Sequence, residues 1–281
     1  MESEKIMVDQ AKADAFGKEL GFGGYGGEFM VGDHKMVMTT DGVGTKLLIA
    51  EEFKKYDTVG IDLVAMCAND LICCGATPLT FMDYYATGDL DLDKSRLILE
   101  GIKFGCRQAG CELTGGETAQ LKPMFLHDNW FDLAGFMVGE IRGEFDPEPI
   151  KSGDLLVGLP SSGFHSNGFT DIRAGYYRMK EWMLTPTRIY VDEVLSNQTL
   201  IKSCAHITGG GLTGNIPRAL GNNKYQLSYE FTPFWKRASE VLELSHSQMK
   251  GKFNCGYGMV LVVSDFKMLD IPEAEVIGYV E

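Results

Sequence analysis

The sequence predicts an α/β protein built as two halves of similar size, and three observations predict it. Its 281 residues are 44% hydrophobic and 23% charged, an ordinary globular composition with chain enough for two domains. Strand-like and helix-like patterns alternate along the chain, as they do where helices cover sheets. The stretch EFDPEPIKSGD, residues 144–154, interrupts that patterning with two prolines and four acids, after which the alternation restarts. The expected domains are therefore 1–146 and 150–281.

The elements follow in order. VDQAKADAFGKEL, residues 8–20, reads as a helix with Ala11, Ala15, Phe16 and Leu20 on one side, and HKMVMTT, residues 34–40, alternates as a strand. Between them GFGGYGG matches the dinucleotide fingerprint at Gly21, Gly23 and Gly26. That fingerprint needs a strand before it and a helix after it. Here the order is reversed, so the glycines read as a connection that permits φ > 0. Helical material spans residues 53–76, a strand 79–88, an amphipathic helix 95–110, and further strands begin at Cys111 and Phe131. In the second half DLLVGLP is a strand, FTDIRAGYYRMKEW a helix and GMVLVVSD a late strand.

Charge and cysteine usage exclude several classes. A net charge of −13 argues against nucleic-acid binding, which needs a basic surface. It leaves room for a small phosphorylated ligand held by backbone N–H groups and a metal. Seven cysteines without a C-x-x-C pair read as reduced thiols. With a charged N-terminus and no apolar window of membrane length, a cytoplasmic protein without a membrane partner is expected.

Five stretches carry candidate chemistry. In TTDGVGTKLL a strand runs into Asp41, Gly42, Gly44, Thr45 and Lys46. A carboxylate for a divalent ion, glycines that admit a phosphate and an ammonium beside it would form a metal–phosphate corner. The spacing is not that of a Walker loop, and a plain turn with a surface lysine would use the same residues. In GIDLVAMCANDLICCGA, residues 60–76, Asp62, Asn69 and Asp70 interrupt an otherwise apolar helix. At about 100° per residue Asp62 and Asn69 lie about 20° apart, and Asp70 about 80° from Asp62. A carboxylate in such surroundings requires a cation or a partner. Asp70 is expected to serve a metal or nucleotide, the alternative being a cap at Asp62 and a salt bridge at Asp70. LTGGETAQ is read as a strand leading into glycines and then Glu117 and Thr118. The separated acids Asp41, Asp70 and Glu117 are expected to converge on magnesium and a polyphosphate.

Two further loops resemble anion cradles. LLVGLPSSGFHSNGFTDIRAG has the order that GFGGYGG lacks, a strand, a small-residue loop and a helix. Ser161, Ser162, Ser166 and Asn167 would donate hydrogen bonds, Gly163 and Gly168 would admit the ligand, and His165 is a donor, a base or a cap; an ordinary serine-rich N-cap is the bland alternative. In AHITGGGLTGNIPRAL a strand ending near His206 enters Gly209, Gly210 and Gly211, with Pro217 expected in the first turn of a helix.

The motifs TTDGVGTKL, GIDLVAMCANDL, DYYATG, GGETA, SSGFHSNGF, PTRIY, HITGGGLTGNIPR and FNCGYGM occur in the order found in the aminoimidazole ribonucleotide synthetases. The sequence resembles that family, the phosphoribosylformylglycinamidine cyclo-ligases, over about residues 37–260. The resemblance implies a two-domain PurM-like subunit of α+β sandwich type, whose N-terminal strands pair with a second copy in a barrel-like homodimer. It implies ATP with Mg2+, and closure of formylglycinamidine ribonucleotide to aminoimidazole ribonucleotide, ADP and phosphate. Carried onto this chain, Asp41, Asp70 and Glu117 would hold the metal. Gly42, Gly44, Thr45, Lys46, Asn69 and Thr118 would join them at the nucleotide. Residues 161–168 and Gly209, Gly210 and Gly211 would receive the substrate. Asp70, Lys46, His165 and His206 are the catalytic candidates. The family's opening Y-K-D-A-G-V-D has its nearest counterpart in SEKIMVD, which keeps Lys5, Val8 and Asp9. The competing readings are a family member impaired in turnover and a related small-molecule kinase; a selenide kinase is disfavoured because the first cysteine is Cys67.

Overall fold

The computed structural model describes residues 24–175 and 180–281. The helix expected over residues 8–20, the SEKIMVD segment and the first glycines of GFGGYGG lie outside the described residues.

The first half is a five-stranded sheet of β1 (Gly27–Val31), β2 (His34–Gly42), β3 (Thr77–Thr87), β4 (Glu112–Gln120) and β5 (Phe131–Glu140), in the order β1-β2-β5-β3-β4. Only β3 and β4 pair in parallel. Helices α1 (Lys46–Phe53), α2 (Val59–Cys73) and α3 (Leu92–Ala109) belong to the same half. The burial of β5 alternates, as period-2 geometry requires: Phe131, Leu133 and Met137 point into the core, while Phe136 points out. Met82 on β3 is the register partner of Phe136 and is likewise exposed. One face of the sheet is thus covered by helices and the other presents apolar side chains.

Helix α3 has all its local signals in place. Asp91 caps its N-terminus by accepting from the Asp93 and Lys94 amides, Gly110 ends it in the left-handed conformation, and Ile98, Ile102 and Cys106 face inward at four-residue spacing. It packs backbone to backbone on α2. A Cβ at Gly60 would stand 2.3 Å from the Ile98 carbonyl oxygen, so only glycine allows this approach.

The second half is an antiparallel sheet of β6 (Leu155–Pro160), β7 (Ile201–His206), β8 (Tyr225–Leu227), β9 (Tyr257–Val263) and β10 (Glu275–Val280), in the order β7-β9-β6-β10-β8. Helices α4 (Phe169–Gly175), α5 (Val191–Ser196), α6 (Gly211–Leu220), α7 (Pro233–Leu242) and α8 (His246–Lys250) accompany it. Every residue of β9 is buried, which explains its unbroken apolar run. The buried residues of both halves form one continuous cluster, and α2 contacts both sheets.

Four local expectations change. Residues 46–53 are helical, although KLLIAEEF carries no capping side chain that would announce it. The glycines and Glu117 of LTGGETAQ lie inside β4, not beyond it. Pro217 sits inside α6, which begins at Gly211. The helix expected from FTDIRAGYYRMKEW is α4 over Phe169–Gly175, followed by a 3₁₀ turn at Glu181–Leu184 with residues 176–179 undescribed.

Candidate active site at the junction of the two halves

Strand β2 ends at Asp41 and Gly42, and Gly44 then turns the chain with φ of 71° into α1. The Asp41 carboxylate accepts from the Gly42 amide at 2.7 Å. Burial, and next the charge of Asp70, raise its pKa from 3.8 to about 6. Asp70 comes from the last turns of α2. It accepts from His206 Nδ1 at 2.8 Å, and its side chain is 16% exposed against 1% for His206. The other ring nitrogen, Nε2, faces the Asn69 side-chain amide at 3.4 Å. That amide also donates to the Arg188 carbonyl, while Asn69 Oδ1 accepts from the Tyr190 amide. Asn69 therefore fixes the tautomer in which His206 carries its proton on Nδ1 and donates to Asp70. A helix of the first half, the PTRIY segment and the end of β7 are locked together beside one carboxylate.

Two carboxylates near enough for the charge of one to hold back ionisation of the other suit a divalent cation. The all-oxygen donor set fits magnesium, which takes one or two protein carboxylates and completes its shell with water and phosphate. A metal held at Asp41 would compete with its proton, which fixes the sign. Below about pH 6 Asp41 is neutral, and magnesium affinity is expected to fall about tenfold per pH unit. Calorimetric titration at pH 5, 6 and 7 checks this; an affinity flat across that range would place the metal elsewhere.

Glu117 does not join this pair. In one chain β5 and β3 separate β4 from β2, three strand spacings or roughly 14 Å. Among the described residues no three His, Cys, Asp or Glu side chains are grouped to hold a metal. The three acids expected to converge do not do so within one chain: Asp41 and Asp70 lie near each other and Glu117 lies apart. Glu117 and Thr118 instead line a cleft of about 250 Å³ with Asp83, Tyr85 and Arg96.

Lys46 is also corrected. Its side chain is fully buried, and Nζ donates to Asp62 Oδ1 at 2.9 Å and to the Thr185 carbonyl at 2.8 Å. The same Asp62 accepts from Ser166 Oγ and from both the amide and the hydroxyl of Thr187. Both ends of the pair are committed, so Lys46 ties the halves together and does not reach a phosphate. Asp62 lies inside the first turn of α2 with Thr58 at the cap position, so it is no cap, and each acid has its own partner: Lys46 for Asp62 and His206 for Asp70.

The SSGFHSNG loop spends most of its expected donors internally. Ser161 Oγ donates to Asn254, Ser162 Oγ to the Pro186 carbonyl and Ser166 Oγ to Asp62. His165 is buried with φ of 59°, and its Nε2 accepts from the Ser162 amide at 3.1 Å. Burial first, and then the basic neighbours His206 and Lys46, hold it well below the usual histidine range. It shapes the loop as a neutral ring and is not placed as a proton carrier. Asn167 Nδ2 and His165 Nδ1 are buried without a partner among the described residues, which leaves two side-chain donors of this loop open. Gly163, with φ of 144°, has open space where a Cβ would stand. The loop meets the first half where Thr45 and Thr170 bring their hydroxyls to 3.3 Å.

The TGGG turn is clamped from behind by Asn215, whose amide donates toward the carbonyls of Thr208, Gly209 and Gly211. Gly210 and Gly211 have positive φ, and a Cβ at Gly211 would lie 2.4 Å from the Lys250 carbonyl oxygen. Thr187 and Arg218 carry no sequence signal as site-building residues, because Asp62 and Gly24 lie 125 and 194 residues from them; Asn215 is local to the turn it clamps, but a lone asparagine does not announce that role.

The AIR synthase related protein N-terminal domain matches residues 27–141, and the corresponding C-terminal domain matches residues 151–281. The chain belongs to that family. It is 44% identical to the chloroplastic phosphoribosylformylglycinamidine cyclo-ligase of Arabidopsis thaliana, across 87% of this chain and 68% of that protein. It is 42% identical to the chloroplastic/mitochondrial cyclo-ligase of Vigna unguiculata, across 87% of this chain and 69% of that one. Among solved structures it resembles thiamine monophosphate kinase of Aquifex aeolicus with a TM-score of 0.72 at 18% identity, covering 98% of this chain and 96% of that one. It also resembles E. coli HypE, a hydrogenase maturation protein, with a TM-score of 0.67 at 16% identity, covering 87% and 79%. At such identities these structures establish the fold alone, and that fold is the two-sheet architecture described above. Among the described residues no helix is long and apolar enough to cross a membrane.

Proposed function

We propose that this family member closes formylglycinamidine ribonucleotide to 5-aminoimidazole ribonucleotide, with ATP converted to ADP and phosphate. The observation that carries the reading is the Asn69–His206–Asp70 relay beside Asp41, at the junction where the SSGFHSNG and TGGG loops open. The cyclo-ligase names of its relatives support it.

The reaction needs activation of an amide oxygen, a poor leaving group. Phosphorylating the formyl oxygen turns it into phosphate, and attack by the ribose-linked amidine nitrogen on the formyl carbon then expels it. Transfer of this kind depends on positioning and charge neutralisation more than on covalent help from the protein. Magnesium, when bound, supplies charge neutralisation at the phosphates. The chain's own residues hold and orient: Asp41 and Asp70 offer oxygens, His206 fixes the Asp70 carboxylate, and Asn69 fixes His206. Glycine amides and Asn167 receive the ribonucleotide, and the cleft at Glu117 and Thr118 receives part of the nucleotide. Release of ADP that depends on formylglycinamidine ribonucleotide tests the reading. ADP release without that substrate would replace it with a hydrolase reading, and ADP release that needs a different phosphoryl acceptor would replace it with a kinase reading.

The homodimer is part of the same proposal. Met38, Met82 and Phe136 lie exposed on the helix-free face of the first sheet, where a second copy would cover them. Phe136→Glu is expected to turn a dimer into a monomer in size-exclusion chromatography with light scattering. A wild-type chain that is monomeric at micromolar concentration would end this part of the reading. All seven cysteines are unpaired in the structure, which supports a reducing compartment such as the cytoplasm.

A further inference from the structure

Two segments that border the acid pair are nearly two hundred residues apart in sequence, and one side chain touches both. Arg218 on α6 donates from Nη2 to the Gly24 carbonyl at 3.0 Å and from Nη1 to Asn215 Oδ1 at 3.2 Å. Its guanidinium carbon lies 3.7 Å from the centroid of the Tyr25 ring. Asn215 is the residue that clamps the TGGG turn. The Gly24–Gly27 stretch has no room to move toward β2, since a Cβ at Gly26 would come within 2.9 Å of Val37 Cγ1 and the Met38 carbonyl oxygen. It is pinned on one side by β2 and on the other by Arg218. The half-buried tyrosine ring between them lies close enough to Asp70 to feel its charge, and Asp41 in turn feels the charge of Arg218.

An exposed arginine gains little from one contact and loses side-chain freedom by making it. Here three contacts hold a planar fork at once: two N–H bonds in different directions and a stacked ring, which lysine cannot reproduce. We propose that Arg218 is a positioning residue that straps the Gly24–Tyr25 turn to the TGGG loop, so that the nucleotide-side and substrate-side corners around Asp41 and Asp70 are held as one set. The proposal rests on the cyclisation reading for its kinetic consequence, but not for the strap itself.

The test compares wild type, Arg218→Met and Arg218→Lys, by hydrogen exchange at the amides of residues 24–27, calorimetric titration with magnesium–ATP, and steady-state kinetics. In both variants exchange over 24–27 is expected to quicken at least about tenfold, with the melting temperature unchanged because the residue is exposed. Magnesium–ATP affinity and kcat are each expected to fall about tenfold. Unchanged exchange would overturn the strap. Quickened exchange with wild-type affinity and kcat would overturn the positioning role, and so would full rescue by lysine, since charge alone would then suffice. If the wild-type protein binds magnesium–ATP but releases no ADP with formylglycinamidine ribonucleotide, the functional reading fails. Exchange and titration then still decide the strap.

Discussion

Asp70→Asn is expected to lower ADP release in the presence of formylglycinamidine ribonucleotide by roughly 10²–10³-fold, the scale seen when one preorganised electrostatic partner is removed. The fold is expected to survive. Asparagine keeps an oxygen where Asp70 accepts from His206 Nδ1, so the Asn69–His206 relay retains its hydrogen bonds. What disappears is the negative charge. The proposed metal site would lose one of its two carboxylates, and Asp41 loses the neighbour that is the second cause of its raised pKa. Magnesium titration therefore has a distinct expected result: weaker binding, with the acid-side loss moved to lower pH as Asp41 ionises more readily. A variant with wild-type ADP release and magnesium response would remove Asp70 from the site.

Lys46→Met is expected to destabilise the protein by roughly 3–5 kcal/mol, the range for breaking a buried ion pair by deleting one partner. For a chain of this size that corresponds to a fall in melting temperature of about 10 °C. The reason is what remains: Asp62, with no exposed surface, would keep its charge without the ammonium. Lys46→Met combined with Asp62→Asn should recover much of the loss. The amide oxygen still accepts from the Thr187 backbone and Ser166, while the isolated charge is gone. Thermal unfolding followed by circular dichroism measures both variants. Because the pair joins α1 and α2 to the Ser166 loop and the 185–187 segment, the single variant should also loosen the junction of the halves. If Lys46→Met keeps the wild-type melting temperature and only raises KM for ATP, Lys46 is a phosphate ligand after all.

The same two acids show how far local sequence carries. That Asp62 and Asp70 could not stand unpaired in an apolar helix follows from desolvation and could be read from GIDLVAMCANDLICC alone. Which cation or ring answers each one could not. Lys46 lies sixteen residues before Asp62, in a stretch that reads equally well as a surface turn. His206 is supplied by a strand 136 residues beyond Asp70. Serines of SSGFHSNG read as free donors because their acceptors, Asn254 and the Pro186 carbonyl, are contributed by remote segments. Glu117 was misplaced for a different reason. Three acid-bearing motifs look alike along the chain, but the order β1-β2-β5-β3-β4 inserts two strands between the first and the last.

By itself the sequence determined the two-part α/β plan, most of the strands, the helices α2, α3, α4 and α6, the family and the stretches where chemistry is concentrated. Those depend on short-range periodicity, on glycines where the backbone must turn or be approached, and on motif order, all of which a linear string preserves. Only the tertiary structure decided that Asp41 and Asp70 are neighbours, that Lys46 is a buried tie, that His165 is a neutral wedge, and that Arg218 bridges two distant loops. Those facts depend on strand order and on the docking of one half against the other, where burial sets which charges must be paired and distance sets which partners can do it.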